Sequence, residues 1–296
     1  MANDTVGVVS EAFDLSVAPG GLRTRHRGSS RVITPVATRL QQVIGSLRPH
    51  YLLSPRKSHM KFLARAALTV ATSLCLAASA APTVAAAPSG PTGIDVASHQ
   101  HVHAPVNWLA ARVPHNFAYV KASEGVGYAN PHYVTDANIS RGVGLAVGAY
   151  HYARPSLEPG DAVREAGYFL ATQSLAPGRK LPPVLDIEES GGLSVSQLQD
   201  WVRDFVRTVD AATGRKTMIY TYPAFWASAM GNTSEFSDHP LWIADYNGGN
   251  APWVPGGWDT WTFWQTSGTG SSAGVTGPVD TNVFNGSPAR LEHMVR

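Results

Sequence analysis

Eight short runs of strand-forming residues follow one another between Gly93 and Phe284, and their order constrains the fold more than any other feature. They are GIDVAS (93–98), FAYVKA (117–122), GLAVGAYHYA (144–153), PPVLDIE (182–188), KTMIYTY (216–222), LWIADY (241–246), TWTFWQT (260–266) and VDTNVF (279–284). Helix-like segments fill three of the gaps, at 131–141, 158–174 and 194–213. Ser194 is placed to cap the last of these, and Gly214 to end it. Strand alternating with helix argues for parallel strands, because a parallel crossover needs a long connection. The last three strands are joined instead by Gly/Pro/Ser-rich loops such as NGGNAPWVPGG (247–257). The expected class is therefore α/β: an irregular TIM-like (β/α) barrel of eight strands, with helices missing between the last ones.

Charge divides the 296 residues unequally. Residues 1–90 carry ten Lys/Arg against three Asp/Glu, whereas 91–296 carry thirteen against eighteen. The part expected to fold is thus mildly acidic, which argues against nucleic acid as a partner. The basic part resembles a leader. Arg56, Lys57, Lys61 and Arg65 precede an uncharged stretch that opens AALTVATSLCLAASAA and reaches Pro82. A basic start, an apolar middle and small residues at the exit make a secretory signal, here 60–87. Ala78-Ser79-Ala80 and Ala85-Ala86-Ala87 are both suited to cleavage. The stretch is too rich in Ala, Ser and Thr for a membrane anchor, which needs about 20 strongly apolar residues.

Translation is expected to begin at Met60, leaving 1–59 as a non-native or disordered extension. Cys75, the only cysteine, falls inside the signal. The exported domain, 91–296, then contains no thiol and is large enough to build its core without disulfides. It is expected outside the cell or on the wall, as a monomer with no membrane association once processed.

Polar residues recur at the strand ends: Asp95, Glu124, Tyr150, Asp186 with Glu188, Tyr220, Asp245, Gln265 and Asp280. The working face of a (β/α) barrel lies at the C-terminal ends of its strands, so these side chains would line one acidic, aromatic cleft. Seven Trp lie between Trp201 and Trp264, of which roughly half are expected in the core. Asp186 and Glu188 are two apart on an extended segment, so they share a face about 6.6 Å apart, with Ile187 turned into the core. Neighbouring carboxyls resist joint ionisation, and an acid beside a carboxylate is the equipment for breaking a glycosidic bond. Alone, the pair reads equally well as two solvated acids.

The ordered set GIDVASHQ, YVKASEG, GAYHYARP, PPVLDIE, LWIADY, WTFWQTSG and VDTNVFNGS closely resembles glycoside hydrolase family 25, the secreted muramidases, from about Gly93 to Arg296. The resemblance implies a cofactor-free enzyme acting on peptidoglycan glycan strands, at the β-1,4 bond between N-acetylmuramic acid and N-acetylglucosamine. It implies Glu188 as general acid and Asp186 as the group steering the substrate's 2-acetamido nucleophile. Asp95 and Asp280 would hold that pair in place. Glu124, Tyr150, Tyr220, Trp242, Asp245 and Gln265 are candidate substrate contacts.

Other readings compete. His99, His101 and His103 alternate and, if extended, would share a face as metal ligands do, suggesting a zinc amidase acting on the peptide stem. The DxE arrangement also resembles chitinases and endo-β-N-acetylglucosaminidases, although their motif carries more Gly and Asp before the acid. A non-catalytic sugar-binding protein is disfavoured because all four acids are present.

Overall fold

The computed structural model describes residues 89–296, so the expected leader and Cys75 lie outside the described residues. The strands are β1 (Thr92–Val96), β2 (Phe117–Glu124), β3 (Tyr128–Ala129), β4 (Ala146–Tyr152) and β5 (Val184–Asp186). They continue with β6 (Met218–Thr221), β7 (Leu241–Ala244), β8 (Phe263–Gly270) and β9 (Val279–Phe284). All eight expected strands are present, and β3 is an added two-residue return against β2. The others run in the order β1-β9-β8-β7-β6-β5-β4-β2, and pairing of β1 with β2 closes the ring.

Neighbours from β1 and β2 round to β7 and β8 are parallel, but β9 is antiparallel to both β8 and β1. The expectation of parallel strands is corrected there, for a physical reason. The short loop after β8 holds no helix and cannot cross over, so the chain returns as a hairpin. The reversal puts the start of β9 at the end of the barrel where the other strands finish.

The helices are α1 (Trp108–Ala111), α2 (Tyr133–Gly142), α3 (Asp161–Ser174), α4 (Val195–Thr213), α5 (Pro223–Ser228) and α6 (Pro288–His293). Ser194 caps α4 in a reciprocal box with Gln197, and Gly214 ends it at φ 65°. Leu198, Trp201, Val202, Phe205, Val206 and Val209 form its buried stripe.

Period-two alternation sorts the strand residues into two apolar layers. Phe117, Tyr119, Tyr150, Val184, Met218, Tyr220, Trp242, Phe263 and Phe284 fill the barrel. Ile94, Val96, Ala118, Val120, Leu185, Ile219 and Ile243 belong to the outer layer with the helix stripes. Burying each large apolar side chain contributes about 1.5–3 kcal/mol. The rings of Tyr119 and Tyr220 meet Trp242 at 4.8 and 4.9 Å. Five of the seven Trp from Trp201 onward are buried, more than expected; Trp253 is the exposed one.

Candidate active site

Above its aromatic filling the barrel interior turns polar. On β5, Val184 and Asp186 face inward while Leu185 and Ile187 join the outer layer. Ile187 N donates to Tyr220 O at 3.0 Å, keeping the chain extended past the strand, and Glu188 comes back to the cleft. Asp95 and Asp280 are register partners of the β1–β9 pair.

Eight of the ten candidate residues line one cavity of about 180 Å³: Asp95, Tyr150, Asp186, Glu188, Tyr220, Trp242, Gln265 and Asp280. A second cavity, about 370 Å³, adjoins it and shares Glu188 and Tyr220; Asp245 lines this one, with Tyr222, Pro223, Ala224, Ala244 and Tyr246. Glu124 lines neither. Its carboxylate is taken up by Lys121 and Arg154.

Ala97, His99, Lys121 and Tyr152 complete the first cavity and were not among the candidates. Lys121 and Tyr152 were within reach of the sequence, because each continues the inward alternation of its strand after Tyr119 and Tyr150. His99 was not, since a 3-10 turn over Ser98–His101 presents it.

That turn also corrects the metal reading. The segment is not extended, so the three imidazoles do not share a face. His101 Nε2 bonds Asp136 Oδ2 at 2.8 Å and its ring stacks on His132 at 3.8 Å, while His103 is exposed. Among the described residues, no group of three or more His, Cys, Asp or Glu is placed to hold a metal ion. None of their helices is long and apolar enough to cross a membrane.

Gln265 is the hub of the polar layer. Its Nε2 donates to Asp95 Oδ2 at 3.0 Å and to Asp280 Oδ2 at 3.2 Å. Its Oε1 accepts from Tyr220 at 2.8 Å and from Tyr246 at 2.5 Å. Asn282 Nδ2 also donates to Asp95 Oδ2, at 2.7 Å, and is itself oriented by Trp242 Nε1 at 2.8 Å. Asp186 has no such support: its Oδ1 is buried without a hydrogen-bond partner.

Electrostatics follow from burial. Desolvation raises Asp95 above the usual carboxylate range against the donors Asn282 and Gln265. Burial, then the neighbouring Asp95, pushes Asp280 up to about 8. Burial and the adjacent Glu188 carry Asp186 well above the ordinary range. Glu188, half-buried, is also raised, chiefly by desolvation. Asp186 and Glu188 are both raised and influence each other, so the pair keeps a proton at pH values where isolated carboxyls have lost theirs. The site can therefore present an acid and a carboxylate together, at the wall between two cavities.

Comparison with known proteins agrees with this chemistry. The sequence model described as glycosyl hydrolases family 25 matches residues 94–275. Lysozyme M1 of Streptomyces globisporus is 40% identical over 213 residues, covering 69% of this chain and 70% of that protein. The N,O-diacetylmuramidase of Chalaropsis sp is 33% identical over 215 residues, 68% of this chain and 97% of that one. Among solved structures, the bacterial lysozyme from Streptomyces coelicolor is similar with a TM-score of 0.63 and 37% identity, over 70% of this chain and 97% of its own. With an acid pair at the head of a closed barrel, a family match over 94–275 and these relatives, the chain belongs to glycoside hydrolase family 25 and is a glycoside hydrolase.

Proposed function

We propose that the protein is a secreted muramidase that hydrolyses the β-1,4 bond between N-acetylmuramic acid and N-acetylglucosamine in peptidoglycan. The observation that carries this reading is the placement of Glu188 on the shared wall of two adjoining cavities, beside the buried carboxyl of Asp186. A group that protonates an inter-sugar oxygen must lie between the two sugars, and Glu188 is the acid common to both cavities. The names of the relatives, a lysozyme and a diacetylmuramidase, support the same substrate class.

Asp186 assists the substrate's 2-acetamido group. Its Oδ1 lacks a donor in the protein, and an acetamido N–H supplies one. That bond favours ionised Asp186 and leaves the pair's proton on Glu188, where the leaving oxygen needs it. The acetamido oxygen then serves as internal nucleophile, the substrate-assisted form of glycoside hydrolysis. Asp95 and Asp280, fixed by Gln265, hold the pair in place, and the charge of Asp95 helps keep Glu188 protonated.

Glu188→Gln tests the assignment. The amide fills the same space but cannot give up the proton, so turnover of peptidoglycan is lost while binding to insoluble wall persists. Asp186→Asn slows turnover strongly. A Glu188→Gln protein that cleaves at the wild-type rate contradicts the role.

A further inference from the structure

Arg154, two residues beyond β4, sits at the centre of a chain of charges that ends at the acid pair. Its backbone N donates to Glu165 Oε2 at 3.1 Å, and that buried carboxylate also bonds His151 Nε2 at 2.8 Å. Its stem lies over Gly125, where an added Cβ would meet Arg154 Cγ at 3.2 Å. Arg154 Nη1 donates to both oxygens of Glu189 at 2.5 Å. Nε and Nη2 donate to Glu124 Oε1 at 2.9 and 2.6 Å, and the other oxygen of Glu124 takes the Lys121 ammonium. The Tyr152 ring lies between the two cations, 4.6 Å from Lys121 Nζ and 4.7 Å from Arg154 Cζ. Its hydroxyl donates to Glu189 Oε1 at 2.9 Å.

Glu189 adjoins Glu188 in sequence, so whatever grips one sets the backbone of the other. The same segment is tied to the β4–α3 connection twice more. Ala153 N donates to Asp186 O at 2.9 Å. Gly191, at φ +59°, packs so closely that a Cβ there would fall 1.6 Å from Pro155 O.

The ion pairs themselves are poor stabilisers, since the side chains of Arg154 and Glu189 are 47% and 45% exposed and water screens such surface pairs. Their consequence is geometric and electrostatic instead. Lys121 lines the cleft with Asp186 and Glu188, and its charge draws both acids down against the pull of burial.

We propose that Arg154 is a positioning residue: it ties the segment carrying Glu188 to the β4–α3 connection and, through Glu124, holds Lys121 against the acid pair. The proposal rests on the reading of Glu188 and Asp186 as the reacting pair. Other groups also face that pair: Asp95 from β1, Asp280 from β9, and Tyr150 and Tyr152 from β4, of which only Tyr152 touches a substituted side chain. Tyr220 from β6 and His99 from the 3-10 turn complete them.

The test is a set of pH–rate profiles on peptidoglycan for wild type, Arg154→Gln, Arg154→Lys, Glu189→Gln and the double variant Arg154→Gln/Glu189→Gln, each with a thermal melt. In Arg154→Gln, Glu124 and Glu189 lose their shared cation. The alkaline limb of kcat then moves to higher pH, kcat falls about tenfold as the acid is misplaced, and KM stays within about twofold. Arg154→Lys keeps the charge but not the fork, so the limb stays put and part of kcat returns. The double variant brings the limb back toward wild type while kcat stays low. Glu189→Gln alone moves the limb to lower pH, a readout that holds even if Arg154→Gln does not fold.

Unmoved limbs in Arg154→Gln and Glu189→Gln, or losses of rate that follow the folded fraction alone, overturn the proposal. A wild-type protein that releases no glycan reducing ends fails the muramidase reading instead, which keeps the two failures apart.

Discussion

Asp95 and Asp280 are direct register partners across the antiparallel β1–β9 pair, and one side-chain amide, that of Gln265, donates to both. The strand that breaks the parallel order is thus the one that delivers the fourth carboxyl to the cleft. A parallel β9 would have carried Asp280 to the opposite end of the barrel.

That placement has a cost in stability with a definite sign. Asp280 binds its proton up to about 8 in the folded protein, against 3.8 for an ordinary Asp, so the folded state holds a proton the unfolded state has released. Its contribution is complete below about pH 4 and is lost as pH rises through about 8. Asp280→Asn removes the ionisable group. Scanning calorimetry is expected to show a higher Tm than wild type at pH 9 and no difference at pH 3. A lower Tm at pH 9 contradicts the burial argument.

Gln265→Leu tests the hub. The variant leaves Asp95 short of a donor and the hydroxyls of Tyr220 and Tyr246 without their acceptor, in a site where residue 265 is 1% exposed. Urea denaturation is expected to show a loss of about 1–3 kcal/mol. Turnover falls with it, because the acids lose their fixed spacing.

Gly148→Ala addresses the barrel filling. An added Cβ comes 2.0 Å from Tyr119 Cε1, and Tyr119 is hemmed in by Trp242 and Phe263. Overpacking of this kind costs about 1–3 kcal/mol, or more where the ring cannot move. Unchanged stability in chemical denaturation would show that the ring has room to shift.

Asp245→Ala separates binding from chemistry. Asp245 Oδ2 accepts from Trp253 N at 2.9 Å and Asn247 Nδ2 at 2.8 Å, so it shapes the loop beside the second cavity and does not touch the acid pair. Steady-state kinetics on soluble glycan fragments are expected to show KM raised severalfold with kcat within about twofold. An equal fall in kcat would place Asp245 in the chemical step.

Much of this was legible because two periodicities and a few turn residues carry it. The alternation in LDIE placed Asp186 and Glu188 in the cleft and Ile187 in the outer layer, and Ser194 with Gly214 bounded α4. The direction of β9 was not legible from the strand itself; only the short, helix-free loop before it held that signal. Helices α1, α5 and α6, four to six residues long, are too short for a 3.6-residue period to register, although Pro223 and Pro288 mark two of their starts. Glu124 reads as a cleft acid because it ends a strand. Its pairing with Arg154, thirty residues away in sequence, appears only once β2 and β4 lie side by side.

The most direct test of the account is the chemistry of the new chain ends. The purified protein is incubated with peptidoglycan, the products are reduced with borohydride, and the reduced sugars are identified by mass spectrometry. Muramitol ends are the expected result. Glucosaminitol ends, or released stem peptides with intact glycan, would contradict it.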